Sequence, residues 1–294
     1  MPRITFALMK QALLLNLAML CIATSGAFGK GIALAPANAI WWRAALAVLV
    51  LGAYCRWRGF SFSLTPKRRP QVILSGVLLA GHWVTYFYAL QLSNVAVGML
   101  SLFTYPVLTA FLEPILLKSR FEVVHLFMGA LVMAGVYFLV PAINFGDQMT
   151  QGALFGLLSA LIYSLRNLLL KRQVNTTNGS ILMFYQVLVT VILLIPVPII
   201  YRAEAVVSQW PYLLGLAVLT TAVGHTLFLS SFRHFSITTA SIISGIQPVY
   251  GIIIAFFLLG EVPSGRSVIG GLLIISTVIL ESFRSLKASP GDTS

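Results

Sequence analysis

Residues 241–260 read SIISGIQPVYGIIIAFFLLG, and residues 101–118 read SLFTYPVLTAFLEPILLK. Each stretch is mostly apolar and has about the 20 residues that a helix needs to cross a bilayer. Each also has a proline near its middle, Pro248 in one and Pro106 in the other, with small polar residues just before it. One such stretch could be an ordinary kinked helix, but two of them, 142 residues apart in a chain of 294, predict a duplicated unit.

The two prolines also predict where polar groups should gather. A proline inside a helix removes a backbone donor and displaces the carbonyl four residues earlier, which here belongs to Leu102 or Ser244. A carbonyl without a partner is costly in lipid, so each of these should face protein, water or a ligand. We therefore expect a polar site between the two halves, with Pro106 and Pro248 as gating hinges.

The composition is that of a protein whose surface faces lipid. Charged residues make up 9% of the chain, against about 25% in a typical soluble domain, and apolar residues make up 59%. The net charge of +12 does not predict a nucleic-acid partner, because the basic residues lie in short loops between apolar runs rather than on one contiguous face. Two cysteines are too few for a disulfide framework or a four-ligand metal site. We expect no cofactor and no metal.

Apolar runs separated by loop signals predict an all-α integral membrane protein with ten transmembrane helices. The predicted spans are residues 11–34, 38–56, 71–91, 95–117, 122–140, 152–170, 180–200, 211–231, 237–259 and 266–283. The loops between them are too short to hold a soluble domain. The alternative for the first run is a cleaved signal peptide, since Ser25-Gly26-Ala27 has the small residues of a cleavage site. We interpret it as a retained span because the run continues to Leu34 and has a counterpart later in the chain.

The basic residues predict the orientation. With the N-terminus in the cytoplasm, fourteen Lys and Arg residues fall at inner loops and ends, and only Lys30, Arg202 and Arg266 fall at outer ones. Cytoplasmic loops of membrane proteins carry this excess of positive charge. Both termini are therefore predicted to be cytoplasmic, in the inner (plasma) membrane.

An internal repeat relates residues 11–140 to residues 152–283. Matching features recur at offsets of 141 to 143: Lys30 and Lys171, Gly81-His82 and Gly224-His225, Ser101 and Ser244, Pro106 and Pro248. Each half has five spans, and because five is odd the second half must enter the membrane in the opposite sense. Such inverted repeats are typical of secondary transporters, whose substrate site lies near the midplane where the halves meet.

These features together resemble a known family. Lys30, Trp41-Trp42-Arg43, the two prolines, and Leu259-Gly260-Glu261 followed by Gly270-Gly271 resemble the ten-helix EamA-type exporters of the drug/metabolite transporter superfamily. The resemblance covers residues 11–283, although Arg120 stands where the family's first half often has a Gly-Glu pair. It implies efflux from the cytoplasm by alternating access, with spans five and ten peripheral to a central cavity. The aromatic lining described next is similar to that of the YddG-type exporters of aromatic and other amino acids.

Polar and aromatic residues on shared helix faces are the candidates for that lining. His82 and Tyr86 lie four residues apart on span three, and Tyr163 and Arg166 share a stripe on span six, as helical spacing requires. With the residues around the two prolines, the predicted substrate-binding set is Trp41, His82, Tyr86, Ser101, Tyr105, Tyr163, Arg166, His225, Ser244 and Gln247.

Each candidate also has a structural interpretation. Tryptophans near span ends commonly form an interface belt, and serines in transmembrane helices often bond their own backbone or join helices. Intramembrane arginines indicate function, yet Arg43 and Arg166 could instead reach a headgroup or pair with Glu113. A histidine can carry a proton or simply donate to a carbonyl. The glycines Gly129, Gly135 and Gly270, with Ser276, are interpreted as helix packing.

The cavity chemistry favours export of amino acids, aromatic and other neutral ones. We expect the protein to be a monomer. Hydroxyls, a glutamine and many aromatics can hold a zwitterion with a large side chain. The alternative transporter is a drug/metabolite carrier or a nucleotide-sugar or sugar-phosphate exchanger, which would need several convergent Lys or Arg. No metal spacing, nucleophile elbow or phosphate loop points to an enzyme. A membrane scaffold or assembly factor is the non-transport alternative.

Overall fold

The structure is a computed structural model that describes residues 2–117, 121–140, 144–170, 177–201, 204–231, 233–235 and 244–287. Arg120, Lys171, Arg202 and Ser241 lie outside the described residues. All regular secondary structure in the described ranges is helical.

The described residues of the first half form six α-helices, besides a short 3-10 helix at Pro66–Arg68. These are α1 (Pro2–Gly31), α2 (Pro36–Trp57), α3 (Arg69–Leu92), α4 (Val95–Leu102), α5 (Tyr105–Leu117) and α6 (Val124–Leu139). The α3–α4 connection is tight because the Asn94 side chain caps α4, accepting a hydrogen bond from the Val97 amide, as asparagine commonly does at this position.

The second half repeats this order with more interruptions. Its helices are α7 (Gln148–Leu170), α8 (Gly179–Leu193), the short α9 (Pro196–Ile200), α10 (Glu204–Val207) and α11 (Trp210–Leu214), a π-helical stretch (Gly215–His225), α12 (Thr226–Ser231), α13 (Gln247–Leu259) and α14 (Gly265–Lys287). Gly260 ends α13 in the left-handed region, at φ 68°, which glycine adopts without a steric penalty.

The helices confirm an all-helical membrane fold. Within the described residues, six helical segments are long and apolar enough to cross a bilayer: Lys10–Gly31, Pro36–Trp57, Pro66–Leu92, Val95–Leu116, Gln148–Leu170 and Trp210–Ser231. Four shorter apolar helices, Val124–Leu139, Gly179–Leu193, Gln247–Leu259 and Gly265–Leu280, complete the set. Each of these ten segments overlaps one of the ten spans predicted from the sequence.

The two prolines occupy a different position from the one predicted. The fourth span is broken at Phe103 and Thr104, and Pro106 is the second residue of the helix that follows, α5. Pro248 is likewise the second residue of α13, directly after a turn. The prediction that each proline lies inside a continuous kinked helix was therefore wrong. A proline fits the first turn of a helix because the amide it lacks would have no intrahelical partner there.

The central and peripheral helices are arranged as the sequence indicated. Helix α3 packs against α7 and α8, and α1 packs against α13 and the π-helical stretch, so these helices enclose the centre. Helices α6 and α14 pack mainly against each other and against α4 and α5, at one side. A Cβ atom on Gly270 would lie 2.6 Å from the Gly135 carbonyl. The interpretation of Gly135 and Gly270 as packing positions is thus confirmed, because only glycine permits this backbone approach.

Candidate substrate-binding site

A small cavity lies between the two halves of the chain. It has a volume of about 20 Å³, and a single water needs roughly 10–15 Å³ measured in the same way. The lining residues are Met19, Ile22, Ser25, Arg43, His82, Trp83, Tyr86, Leu102, Phe103, Tyr105, Tyr163, His225, Phe228, Ser244 and Gln247. An amino acid would not fit in a cavity of this volume.

Seven of the ten predicted substrate-binding residues line this cavity. They are His82, Tyr86, Tyr105, Tyr163, His225, Ser244 and Gln247. The two histidines stand at equivalent positions of the repeat, and both are buried against the cavity. The structure therefore brings together polar side chains from both halves, as the repeat predicted.

A hydrogen bond joins the two halves at the cavity. The Tyr105 and Ser244 hydroxyl oxygens lie 2.6 Å apart, and both are buried. Tyr105 is the first residue of α5, and Ser244 comes three residues before α13 begins. The bond therefore connects the two interrupted spans at the points where they are interrupted. Interrupted helices near the midplane are where secondary transporters of inverted-repeat design place their substrate.

Aromatic rings form one wall of the cavity. The His82 ring is nearly parallel to those of Tyr163 and Tyr86, with centroids 4.4 and 6.3 Å away. Tyr105 contacts Tyr163 edge-to-face, with ring centroids 4.9 Å apart. Offset-stacked and edge-to-face rings each add about 0.5–1.5 kcal/mol to the burial of their area. This wall is therefore a firm surface against which a planar side chain could stack.

Ser159 on α7 fixes the orientation of His82. Its hydroxyl donates to the His82 backbone carbonyl at 2.9 Å, and the His82 Nδ1 atom lies 2.7 Å from the same hydroxyl oxygen. Because a serine has one proton to give, Nδ1 is the donor in the second bond. The proton then sits on Nδ1, and Nε2 of His82 is left as an acceptor.

Arg43 on α2 supplies a cation to the cavity wall. Its Nε atom donates to the Thr221 hydroxyl at 2.8 Å, and its guanidinium carbon lies 3.8 Å from the centroid of the Trp83 ring. Thr221 in turn donates to the carbonyl of Leu216, five residues earlier, within the π-helical stretch. Such π-helical turns are often found at functional sites. Here the stretch presents Thr221 to Arg43 and ends at His225.

The comparison with known proteins assigns the fold and the class. Residues 9–140 and 150–283 match the EamA-like transporter family. The chain belongs to this family. It is therefore a transporter of the drug/metabolite superfamily and not an enzyme, and it is a multi-pass protein of the cell inner membrane.

Relatives with curated names are also transporters. An uncharacterized transporter of Archaeoglobus fulgidus is 27% identical over 74% of this chain and 79% of its own length. The pseudopaline exporter CntI of Pseudomonas aeruginosa is 23% identical over 83% of this chain and 84% of its own length. A protein crystal structure superposes with a TM-score of 0.68 at 20% identity, covering 95% of this chain and 99% of that one, and it shows the shared fold.

Three predicted site residues of this EamA-like transporter do not line the cavity. Ser101 donates to the carbonyls of Val97 and Gly98 in its own helix, the alternative that serines in membrane helices commonly take. Trp41 donates to the Val191 carbonyl at 3.2 Å, a bond between helices rather than a contact with the cavity.

Arg166 lies behind the cavity wall. Its Nε atom donates to Gln186 at 2.8 Å and Nη1 to Asn167 at 3.4 Å, while its guanidinium carbon is 5.7 Å from the Tyr163 ring centroid. It is fully buried, so it does not reach a headgroup. Within the described residues, neither Arg166 nor Arg43 pairs with Glu113 or another carboxylate.

Several lining residues were missed by sequence reasoning. Arg43 was singled out as an intramembrane charge but was not placed at the site, although its position beside Trp41-Trp42 was a signal. Trp83 follows the repeated Gly81-His82 pair, and Ser25 stands in a run of small residues that resembled a cleavage site. Among the described residues no group of three or more His, Cys, Asp or Glu side chains could hold a metal ion.

Proposed function

We propose that this transporter exports amino acids, aromatic and other neutral ones, from the cytoplasm by alternating access. It would do so as a monomer with ten spans, both termini in the cytoplasm, and one five-helix repeat in each of the ranges 11–140 and 152–283. The observation that carries the proposal is the hydrogen bond between Tyr105 and Ser244. This bond supports the proposal because it joins the two interrupted spans at a buried cavity lined by residues of both halves.

The cavity wall supports an amino acid as substrate. The rings of His82, Tyr163 and Tyr105 offer faces and edges for a large apolar or aromatic side chain. Ser244 and Gln247 offer oxygen atoms that can accept from an ammonium group. The ammonium end of a zwitterion can therefore be hydrogen-bonded while its side chain is stacked and buried.

The closed cavity supports alternating access. A volume of about 20 Å³ has no room for an amino acid, so the helices must separate before the substrate can enter. The starts of α5 and α13 are suitable hinges because the backbone ladder is already interrupted before each of them. The two hinges lie in opposite halves of an inverted repeat, which is how such transporters open to one side at a time.

Polar contacts close the side that the charge pattern predicts to be external. The Lys30 ammonium donates to the carbonyls of Gln91 and Ser93, at 3.2 and 2.5 Å. The Glu261 carboxylate accepts a hydrogen bond from the Val95 amide at 2.8 Å. These bonds tie the end of α1 and the loop after α13 to the connection between α3 and α4. Export would require them to break in each cycle.

The decisive experiment is counterflow in proteoliposomes with a panel of labelled amino acids. The proteoliposomes are preloaded with the unlabelled compound. The expected result is that labelled phenylalanine, and other labelled neutral amino acids, accumulate inside them. Empty liposomes provide the background. Absence of flux for every amino acid would contradict the proposal, and it would favour a carrier of another class of substrate.

A sugar-phosphate or nucleotide-sugar exchanger is the second candidate. The observation that favours it is the presence of two buried arginines, Arg43 and Arg166, at and behind the cavity. Phosphate groups pair well with guanidinium. Counterflow of glucose 6-phosphate or uridine monophosphate in the same liposomes separates the two transporters, because an amino-acid exporter should carry neither. The pseudopaline exporter among the relatives supports the direction of transport in both cases.

A further inference from the structure

Three polar atoms on the cavity wall have no partner of good hydrogen-bond geometry among the described residues. They are Nη2 of Arg43, the Tyr86 hydroxyl, which has Ser25 as its polar neighbour, and Nδ1 of His225. All three side chains line the cavity, and their exposed fractions are only 1%, 3% and 3%. Buried polar atoms are nearly always paired, and inside a bilayer no bulk water can compensate. This part of the wall therefore has hydrogen-bonding capacity that the protein does not use.

The strongest of these unused donors belongs to Arg43, a cation whose orientation is fixed. A guanidinium stays protonated in proteins and carries donors only. Arg43 is held by its Nε bond to Thr221 and by the face of Trp83, so its remaining edge is not free to turn away. None of the described carboxylates pairs with it. A buried charge without a counter-ion is strongly destabilising, which indicates that an anion completes the site during function.

A carboxylate fits the arrangement. Arg43 and Tyr86 both present donors, and a guanidinium fork matches the plane of a carboxylate group. His225 also lies beside Trp83, with ring centroids 5.6 Å apart, and adds a third donor when Nδ1 carries the proton. Ser244 and Gln247 line the same cavity without contributing a charge.

We propose that Arg43 and Tyr86 bind the carboxylate of the transported compound. The inference rests on the proposed function in one respect, that this cavity is the transport site. It goes further by naming the group that is required. Compounds that carry a carboxylate are bound, and an amine with the same side chain but no carboxylate is not.

The test uses three ligands that share one ring: 3-phenylpropanoate, phenylalanine and 2-phenylethylamine. Their affinities for the purified full-length transporter are measured by calorimetry. The two carboxylates should bind at least tenfold more tightly than the amine. Arg43→Gln should weaken both carboxylates by about 10- to 100-fold, the range for a hydrogen bond to a charged group. Tyr86→Phe should weaken them by about fivefold, and Arg43→Lys should retain part of the affinity.

Arg166→Gln is the matched control. It removes a second buried guanidinium, whose Nη2 is also unpaired but which does not line the cavity. Carboxylate affinity should stay within about threefold of the parent, which separates direct contact from a general loss of buried charge. Melting temperatures establish that each variant is folded. If Arg43→Gln does not fold, Tyr86→Phe and the three ligands on the parent decide the question.

The proposal is overturned if the amine binds as tightly as the carboxylates, or if no carboxylate of the series binds the folded parent. Equal losses of carboxylate affinity in folded Arg43→Gln and Arg166→Gln would also overturn the proposal. Failure of the proposed function looks different: the parent then binds 3-phenylpropanoate through Arg43, yet proteoliposomes carry no amino acid. If Arg43→Gln transports phenylalanine and binds it as tightly as the parent does, the carboxylate proposal is wrong. Amino-acid export would not be contradicted by that result.

Discussion

Removing the Glu261 carboxylate should open the predicted external side of the transporter. In the closed structure this carboxylate accepts a hydrogen bond from the Val95 amide, at the first residue of α4. The amide at the start of a helix has no intrahelical partner, and a negative charge there also interacts favourably with the helix dipole. In the proposed alternating-access cycle these two elements part when the transporter opens, so we expect the bond to stabilise the closed state only.

The magnitude follows from the environment of this bond. A hydrogen bond to a charged group contributes about 1.5–3 kcal/mol. A cavity of about 210 Å³ lies beside Glu261 and Lys30, and water entering it would satisfy the freed amide in part. We therefore expect Glu261→Ala to destabilise the closed state relative to the open state by about 1–2 kcal/mol. Glu261→Gln keeps a neutral acceptor and should destabilise it by roughly half as much. At 1.4 kcal/mol per factor of ten, the open population should rise about 5- to 30-fold.

The assay is the reaction of a single cysteine with a membrane-impermeant thiol reagent added to whole cells. Ser25→Cys places that cysteine on the cavity wall, after the native Cys21 and Cys55 have been replaced by alanine. The labelling rate should rise about 5- to 30-fold in Glu261→Ala. Val262→Ala is the control, because Val262 is 74% exposed in the same loop and makes no polar contact through its side chain. Equal rates in the two variants would refute the assignment of Glu261 to the closure.

Three further predictions concern topology, the aromatic wall and the hinges. A reporter fused after Ser294 should read as cytoplasmic, and a periplasmic readout would contradict the ten-span orientation. Tyr86→Ala and Tyr163→Ala should lower phenylalanine transport several-fold without lowering expression, since a lost ring contact costs about 0.5–1.5 kcal/mol beyond area; parent-like transport in both variants would show that this wall does not contact substrate. Pro106→Ala and Pro248→Ala should let each interrupted span continue as one helix, so turnover falls while ligand affinity survives; affinity and turnover measured on the same proteins check this, and normal turnover in both would exclude a hinge role.

Much of the fold could be predicted from the sequence because the bilayer constrains it so strongly. A segment that crosses lipid must be apolar for about 20 residues and must pair its own backbone groups, so it is a helix. The ten apolar segments and the matching of Gly81-His82 with Gly224-His225 could therefore be found without a structure. The same repeat predicted that both histidines would face one site, and both line the cavity.

The positions of the two prolines within their helices could not be predicted from the sequence. The sequence indicated that Pro106 and Pro248 are equivalent, and the structure places both at the second position of a helix. The sequence could not distinguish a kinked helix from an interrupted one. A proline disrupts the turn before it in either case, and the packing of neighbouring helices decides whether the chain resumes the same ladder or begins a new one.

Ser101 and Ser244 show what only the tertiary structure decided. They are equivalent in the repeat, yet Ser101 bonds its own helix and Ser244 bonds Tyr105 across the cavity. Arg43 and Arg166 differ in the same way, since only Arg43 lines the cavity. Helical spacing determines which residues share a face, but the rotation of each helix about its axis is set by its neighbours. That rotation, which follows from close packing of the whole bundle, selects the side chains that meet at the site.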